Sequence, residues 1–246
     1  MVADSSQQAG IILSRAGFEK NGVQILSDLS LRLTERRIGI VGRNGSGKTT
    51  LARLICGLVA PTSGTVAVGG VDVARDRKAA IGEVGILFQN PDHQIIFPTV
   101  EEEIAFGLTQ QGMSKRAARD GARAMLTRFD RPDWAERAVH TLSQGQRHLV
   151  CMMAVLAMKP RLIVLDEPFA GLDIPTTMTL SRYLDGLSQQ VLHISHDPAA
   201  LKPYNRVLWI DRGTVAMDGP AAEVIAAFKA EMTRIGGVDD LTDLPT

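Results

Sequence analysis

The stretch Gly42-Arg43-Asn44-Gly45-Ser46-Gly47-Lys48-Thr49, GRNGSGKT at residues 42–49, decides the fold. Its spacing, G-x-x-x-x-G-K-[S/T], is that of a loop whose backbone amides close round a phosphate group. Small residues at Gly42, Gly45 and Gly47 let the chain turn tightly. Lys48 is then placed to reach the β and γ phosphates, and the Thr49 hydroxyl to hold Mg²⁺. Upstream, Ile38 to Val41 is a short apolar run of the kind that fills a buried strand. Downstream, Leu51, Leu54, Ile55 and Leu58 recur at helical spacing from Thr50 to Leu58. A strand, an anion loop and a helix N-terminus therefore follow one another, and the helix end is electrostatically suited to phosphate.

The rest of the composition narrows the class. A chain of 246 residues with 45% hydrophobic content can fill an ordinary core. Lys plus Arg and Asp plus Glu both number 27, which leaves no net charge for nonspecific attraction to nucleic acid. Cys56 and Cys151 lie in apolar helical patterns and are expected as buried thiols of a reducing cytosol, without a cross-link. The apolar run Leu149 to Met158 falls well short of the roughly 20 residues a membrane helix needs, and the N-terminus is polar rather than signal-like. The chain itself is not expected to span a membrane, and its sequence contains no internal repeat or second phosphate loop.

Ahead of the loop, Gly10 to Ala16 and Val23 to Leu33 read as strands joined through Lys20-Asn21-Gly22. Phe18 stands before that turn, where it either stacks on a base or closes the edge of the core. Thr65 to Val68 is a further short strand. Val84 to Phe88 reads as a buried strand that delivers Gln89, a metal- or water-orienting side chain or else a loop cap. Thr99 and Glu102 form a capping box. Ser114 to Phe129 is helical, with Met125, Leu126 and Phe129 inward and Lys115, Arg116, Arg119 and Arg123 forming a solvated face. A helical portion is thus expected over about residues 92–160.

Ser143 stands where a cap would open a helix from Gln146 to Ala157. Arg161 to Pro168 presents a buried strand ending in Asp166 and Glu167, a carboxylate for Mg²⁺, or else a helix or turn cap, and one to orient or deprotonate water. Gly171-Leu172-Asp173 turns into a helix reaching Leu187. Val191 to Ile194 is the next strand, with His193 packed inside it and His196 emerging at its end. A hairpin, Arg206 to Ile210 and Thr214 to Asp218, precedes a helix over Ala221 to Ala230, and residues 231–246 are expected to be weakly ordered.

In this order the motifs resemble the nucleotide-binding subunit of the ATP-binding cassette (ABC) family, from about Gly10 to Phe228. The resemblance implies an α/β fold: a P-loop, RecA-like parallel-sheet core, an N-terminal antiparallel β subdomain and a helical subdomain, forming one domain over residues 1–246. It implies an ATPase in which Phe18 stacks on adenine and Gly42, Asn44, Gly45, Ser46, Gly47, Lys48, Thr49 and Thr50 bind the phosphates. Thr49, Gln89 and Asp166 would ligate Mg²⁺. Glu167 would be the general base, His196 the switch histidine and Asp173 the D-loop aspartate. Leu142 to Gln146 resembles the signature motif, so Ser143, Gly145 and Gln146 would complete the ATP site of an opposite copy. The family usually has glycine where Gln144 stands; an ordinary helical start is expected there.

A narrower likeness lies in Gln89-Asn90-Pro91-Asp92-His93-Gln94 followed by Phe97 to Gly107, which looks like the ATPases of energy-coupling-factor importers. These bring vitamins or cobalt and nickel ions into prokaryotic cells. The likeness implies a homodimer or a paired paralogous ATPase on the cytoplasmic face of the membrane. It also implies a transmembrane scaffold received near Gln89 to Phe106, a separate membrane substrate-binding subunit, and no nucleic acid. The alternatives are the ATPase of a conventional binding-protein-dependent importer and a soluble ABC ATPase acting on nucleic acid or ribosomes.

Overall fold

The computed structural model describes residues 10–236, so the polar start and the acidic tail with Asp239, Asp240 and Asp243 lie outside the described residues. Strand β1 (Ile11–Lys20) pairs antiparallel with β2 (Val23–Leu33) and with β4 (Ser63–Val68). With the two-residue β5 (Val71–Asp72) they form a four-stranded sheet in the order β2-β1-β4-β5. Strand β1 is longer than the sequence pattern suggests because register shifts at Ala16 and Phe18 carry it past its apolar half to the turn.

The second sheet has the order β10-β9-β3-β8-β7-β6. Strands β3 (Arg37–Val41), β6 (Val84–Leu87), β7 (Leu162–Asp166), β8 (Gln190–Ile194) and β9 (Arg206–Asp211) run parallel. Strand β10 (Thr214–Gly219) closes one edge antiparallel to β9. Every residue of β7 is buried, as expected of a parallel strand covered on both faces. Its side chains alternate: Leu162 and Val164 join the cluster under the N-terminal sheet, whereas Ile163 and Leu165 join the cluster under the helices. Burying each of these leucines and isoleucines contributes about 1.5–3 kcal/mol.

Helix α1 (Lys48–Ile55) begins inside the phosphate loop and stops three residues before Leu58. Its end is set by Gly57, whose φ of 67° lies in the left-handed region. Helix α2 (Arg77–Glu83) is capped by Asp76, whose carboxylate accepts from the Ala79 amide at 2.9 Å. It escapes a sequence reading because Ala80 is its buried residue, which leaves no apolar stripe.

Helices α3 (Val100–Gln110), α4 (Lys115–Arg128) and α5 (Gln144–Ala157) pack on the far face of the parallel sheet. Thr99 caps α3 and its hydroxyl donates to Glu102 at 2.6 Å. On α4, Arg119 and Arg123 are not simply solvated, since both pair with the buried Glu101 of α3 at 3.3 Å and 2.5 Å. Burial makes that carboxylate costly without partners, so the two arginines tie α4 to α3. Cys56 and Cys151 are free and belong to different clusters.

Helix α6 (Ile174–Asp185) leads to β8, and α7 (Ala221–Gly236) packs Val224, Ile225 and Phe228 against β9. Residues 231–236, expected to be weakly ordered, are therefore the last turns of α7, where Met232 continues the buried stripe. Among the described residues no helix is long and apolar enough to cross a membrane.

Candidate active site

The carboxyl ends of the parallel strands point to one side of the sheet, where ligands of open α/β sheets bind. The phosphate loop follows β3, Gln89 follows β6, Asp166 and Glu167 end β7, and His196 follows β8. Together they surround a cavity of about 680 Å³ lined by Asn44, Gly45, Gly47, Lys48, Thr49, Thr50, Gln89, Asp166, Glu167, His196 and Ile25.

The loop's shape depends on glycine. Gly45 and Gly47 hold φ of 77° and 103°, and a Cβ on Gly47 would lie 2.7 Å from Leu26 Cδ2. A Cβ on Gly42 would collide with the Ile210 carbonyl and come within 2.7 Å of Ser46 Oγ. The hairpin turn between β9 and β10 pins the loop from behind: Gly213 N–H donates to Ser46 O at 3.0 Å, and Ser27 N–H of β2 donates to Gly213 O at 2.9 Å. That long-range clamp brings Ile25 to the cavity wall. Ser46 itself is buried, and its hydroxyl has no hydrogen-bond partner among the described residues.

Lys48 is the buried cation of the site. Its ammonium donates to the carbonyls of Gly42 and Arg43, both at 2.8 Å, which folds the side chain over the loop. Burial lowers its pKa from the usual lysine value, and the carboxylates of Glu167 and Asp166 oppose that shift. Across the cavity, Thr49 Oγ1 stands 3.5 Å from Asp166 Oδ1. Burial raises the Asp166 pKa, while the Thr49 hydroxyl, Arg53 and Lys48 lower it. A hydroxyl and a carboxylate sharing one wall of a cavity that Gln89 also lines are oxygen donors that fit Mg²⁺.

Glu167 leaves β7 with φ of 54°, a left-handed conformation that costs a non-glycine residue on the order of 1 kcal/mol. Its N–H donates to Ile194 O at 3.0 Å, extending the β7–β8 ladder past the strand end. The carboxylate accepts from His196 Nδ1, with 2.6 Å between them. The Glu167 side chain is 14% exposed against 66% for His196, so the acid is sheltered and the ring faces outward.

The remaining predicted residues lie elsewhere. Ser143 caps α5 with Gln146 in a reciprocal capping box, at 3.3 Å and 3.0 Å. Gln144 has no positive φ and begins the helix normally. Ser143, Gly145 and Gln146 line a separate cavity of about 330 Å³ with residues of α6. A Cβ on Gly145 would lie 2.8 Å from Thr176 Cγ2, so glycine here sets the approach of α5 to α6. Asp173 caps α6, accepting from the Thr176 amide at 2.8 Å. Phe18 is half-buried against the core and does not line the 680 Å³ cavity. Residue 25 gave no sign of its site position in sequence, because strand alternation does not reveal which loop a strand faces.

Comparison with known proteins carries the site further. The family model for ABC transporters matches residues 26–170. The biotin transport ATP-binding protein BioM of Rhodobacter capsulatus is 54% identical over 222 residues, 90% of this chain and 95% of the relative. BioM of Rhizobium etli is 42% identical over 86% of this chain and 96% of its own. Among solved structures, cbiO1 from Clostridium perfringens, part of the ABC transporter complex cbiONQ, superposes with a TM-score of 0.74 over 96% of this chain and 99% of its own at 24% identity. The ATP-binding cassette MJ0796, a dimer bound to ADP and Pi in a post-hydrolysis state, does so with a TM-score of 0.73 over 86% of this chain and 98% of its own, again at 24% identity. These two structures share the fold, and the sequence relatives share the family. With its phosphate loop, paired carboxylates and emergent histidine on one cavity, the chain belongs to the ABC transporter family and is one of its ATPases.

Proposed function

We propose that the chain is the ATP-hydrolysing subunit of an energy-coupling-factor importer, working as a dimer on the cytoplasmic face of a membrane, with biotin as the imported solute. The observation that carries the dimer is the separation of two half-sites. Lys48, Thr49, Asp166, Glu167 and His196 share one cavity, while Ser143, Gly145 and Gln146 line another. A second copy brings its Ser143 to the first copy's phosphate loop and completes an enclosure that one chain leaves open. The identity to two BioM proteins supports biotin over cobalt or nickel.

In this reading the amides of Gly45, Gly47 and Lys48 take the phosphates, and the Lys48 ammonium exchanges its two loop carbonyls for phosphate oxygens. Thr49, Asp166 and Gln89 would hold Mg²⁺, which neutralises charge on the β and γ phosphates when bound. Glu167 orients the attacking water and takes its proton, and His196, bonded to the same carboxylate, holds that carboxylate in place and faces the transferred phosphoryl group. The donors are fixed before reaction, which lowers the cost of stabilising developing charge.

The segment from Gln89 to Phe106 is the surface for a membrane scaffold. Ile96 is 70% exposed there, and the buried Glu103 accepts from the Ile96 and Phe97 amides at 2.9 Å and 2.8 Å, holding the segment in shape. A separate membrane subunit would bind the solute. Affinity purification of the chain from its host after mild detergent extraction tests this: polytopic membrane subunits should copurify, and the reconstituted complex should take up biotin with ATP. Copurification of ribosomes or nucleic acid instead, or ATP-driven uptake that requires an external binding protein, contradicts the reading.

A further inference from the structure

His148 lies in the second turn of α5, is fully buried, and has no part in the chemistry above. Its two ring nitrogens face two main-chain carbonyls: Nε2 lies 3.1 Å from Gln89 O, and Nδ1 lies 3.4 Å from Gln144 O. A carbonyl oxygen can only accept, so the ring nitrogen facing Gln89 carries a proton. Gln144 O belongs to the same helix one turn earlier, so the bond to Gln89 is the one that leaves the helix.

The preceding residue makes a second link to the same segment. Arg147 Nε pairs with Asp92 Oδ1 at 2.9 Å, while its guanidinium also donates to Leu142 O at 2.7 Å. Asp92 sits in the short 3-10 turn Pro91–His93, capped by Asn90, whose side chain accepts from the Asp92 amide. Both ends of the Gln89–Asp92 segment are therefore held by consecutive residues of α5. Just before them, Ser143 and Gln146 lock the start of the helix. Gln89 lines the nucleotide cavity and Ser143 the other one, and the tether joins the two.

We propose that His148 is a positioning residue for ATP hydrolysis, fixing the Gln89 backbone to the first turns of α5 so that Gln89 and Ser143 move as one piece. Any displacement of α5 as a second copy's nucleotide is engaged is passed to Gln89 in the first cavity. The proposal rests on the placement of Gln89 and Ser143 at the two ATP half-sites. A glutamine amide at position 148 can donate the same bond, whereas leucine fills the space without it.

The test is steady-state ATP hydrolysis by the full chain carrying His148→Gln, His148→Leu, Gln89→Ala, or His148→Leu with Gln89→Ala, each checked by thermal unfolding. Losing a buried bond that holds a reacting group should lower kcat about tenfold in His148→Leu, with KM within about twofold, and His148→Gln should regain most of it. In the Gln89→Ala background the leucine should add less than about a twofold loss, because nothing is left at position 89 to misplace. If leucine prevents folding, His148→Asn, polar but too short to reach the carbonyl, takes its place with the same expectation. Equal losses for glutamine and leucine, or an undiminished loss in the Gln89→Ala background, would reduce His148 to packing and overturn the proposal. A Gln89→Ala chain with normal kcat would instead remove Gln89 from the site, and the proposal with it.

Discussion

His196 Nδ1 donates to the Glu167 carboxylate across the ends of two neighbouring parallel strands, β8 and β7, at 2.6 Å. The left-handed turn at Glu167 and the ladder bond to Ile194 hold the acid where the ring can reach it. In the proposed mechanism the acid, the sheltered member, takes the water proton and the ring acts through it. Glu167→Gln should therefore lower kcat by about 10²–10⁴ while nucleotide binding persists, since a positioned base typically contributes that much. His196→Ala should lower kcat less. Phosphate release under saturating Mg-ATP, with nucleotide binding measured separately, checks both.

The phosphate loop separates two costs of replacing glycine. At Gly45 an added methyl meets nothing within 4 Å, so Gly45→Ala bears only the left-handed backbone, about 1 kcal/mol. At Gly47 the methyl also runs into Leu26 of β2, so Gly47→Ala should cost about 1–3 kcal/mol more and weaken nucleotide binding with it. Urea unfolding of both variants reads the difference. Equal stability would mean that β2 does not pack against the loop.

A buried histidine outside the reaction predicts the acid limit of stability. His193, in β8, is 2% exposed and bonds Tyr204 through Nδ1 at 2.9 Å, and burial lowers its pKa to about 4. Unfolded, it titrates near 6.5, so below that pH the unfolded chain binds a proton the folded one refuses. The stability this residue allows is complete above about pH 6.5 and falls by about 3 kcal/mol as pH drops through 4. Urea midpoints between pH 7.5 and 4.5 should fall with acid in the wild type and fall less in His193→Gln.

Legibility in sequence followed the range of the forces involved. Strand β7 with Asp166 and Glu167 at its end was readable because a strand buried on both faces must be apolar throughout. The caps at Thr99 and Ser143 were readable because their partners lie three residues away. Helix α2 was hidden by its lack of an apolar stripe, and the last turns of α7 by the polar residues around Met232. Ile25 and His148 were hidden for another reason. The first is placed by a clamp through Gly213, and the second acts on a carbonyl 59 residues away, so no local pattern marks either. That Ser143 serves an opposite copy was implied only by family resemblance; within one chain Ser143 and Lys48 line separate cavities.

The proposed sharing of each site between two copies is tested most directly by mixing two chains that are each defective. Lys48→Ala removes the phosphate lysine and Ser143→Arg blocks the opposing half-site, so homodimers of either should hydrolyse almost no ATP. A mixed dimer keeps one whole site, made from Lys48 of the Ser143→Arg chain and Ser143 of the Lys48→Ala chain. After equimolar mixing, half of the dimers are mixed and one site in two is intact, so the rate should return to about a quarter of wild type. If Ser143 serves the nucleotide of its own chain, no mixed dimer holds a complete site and the mixture stays inactive.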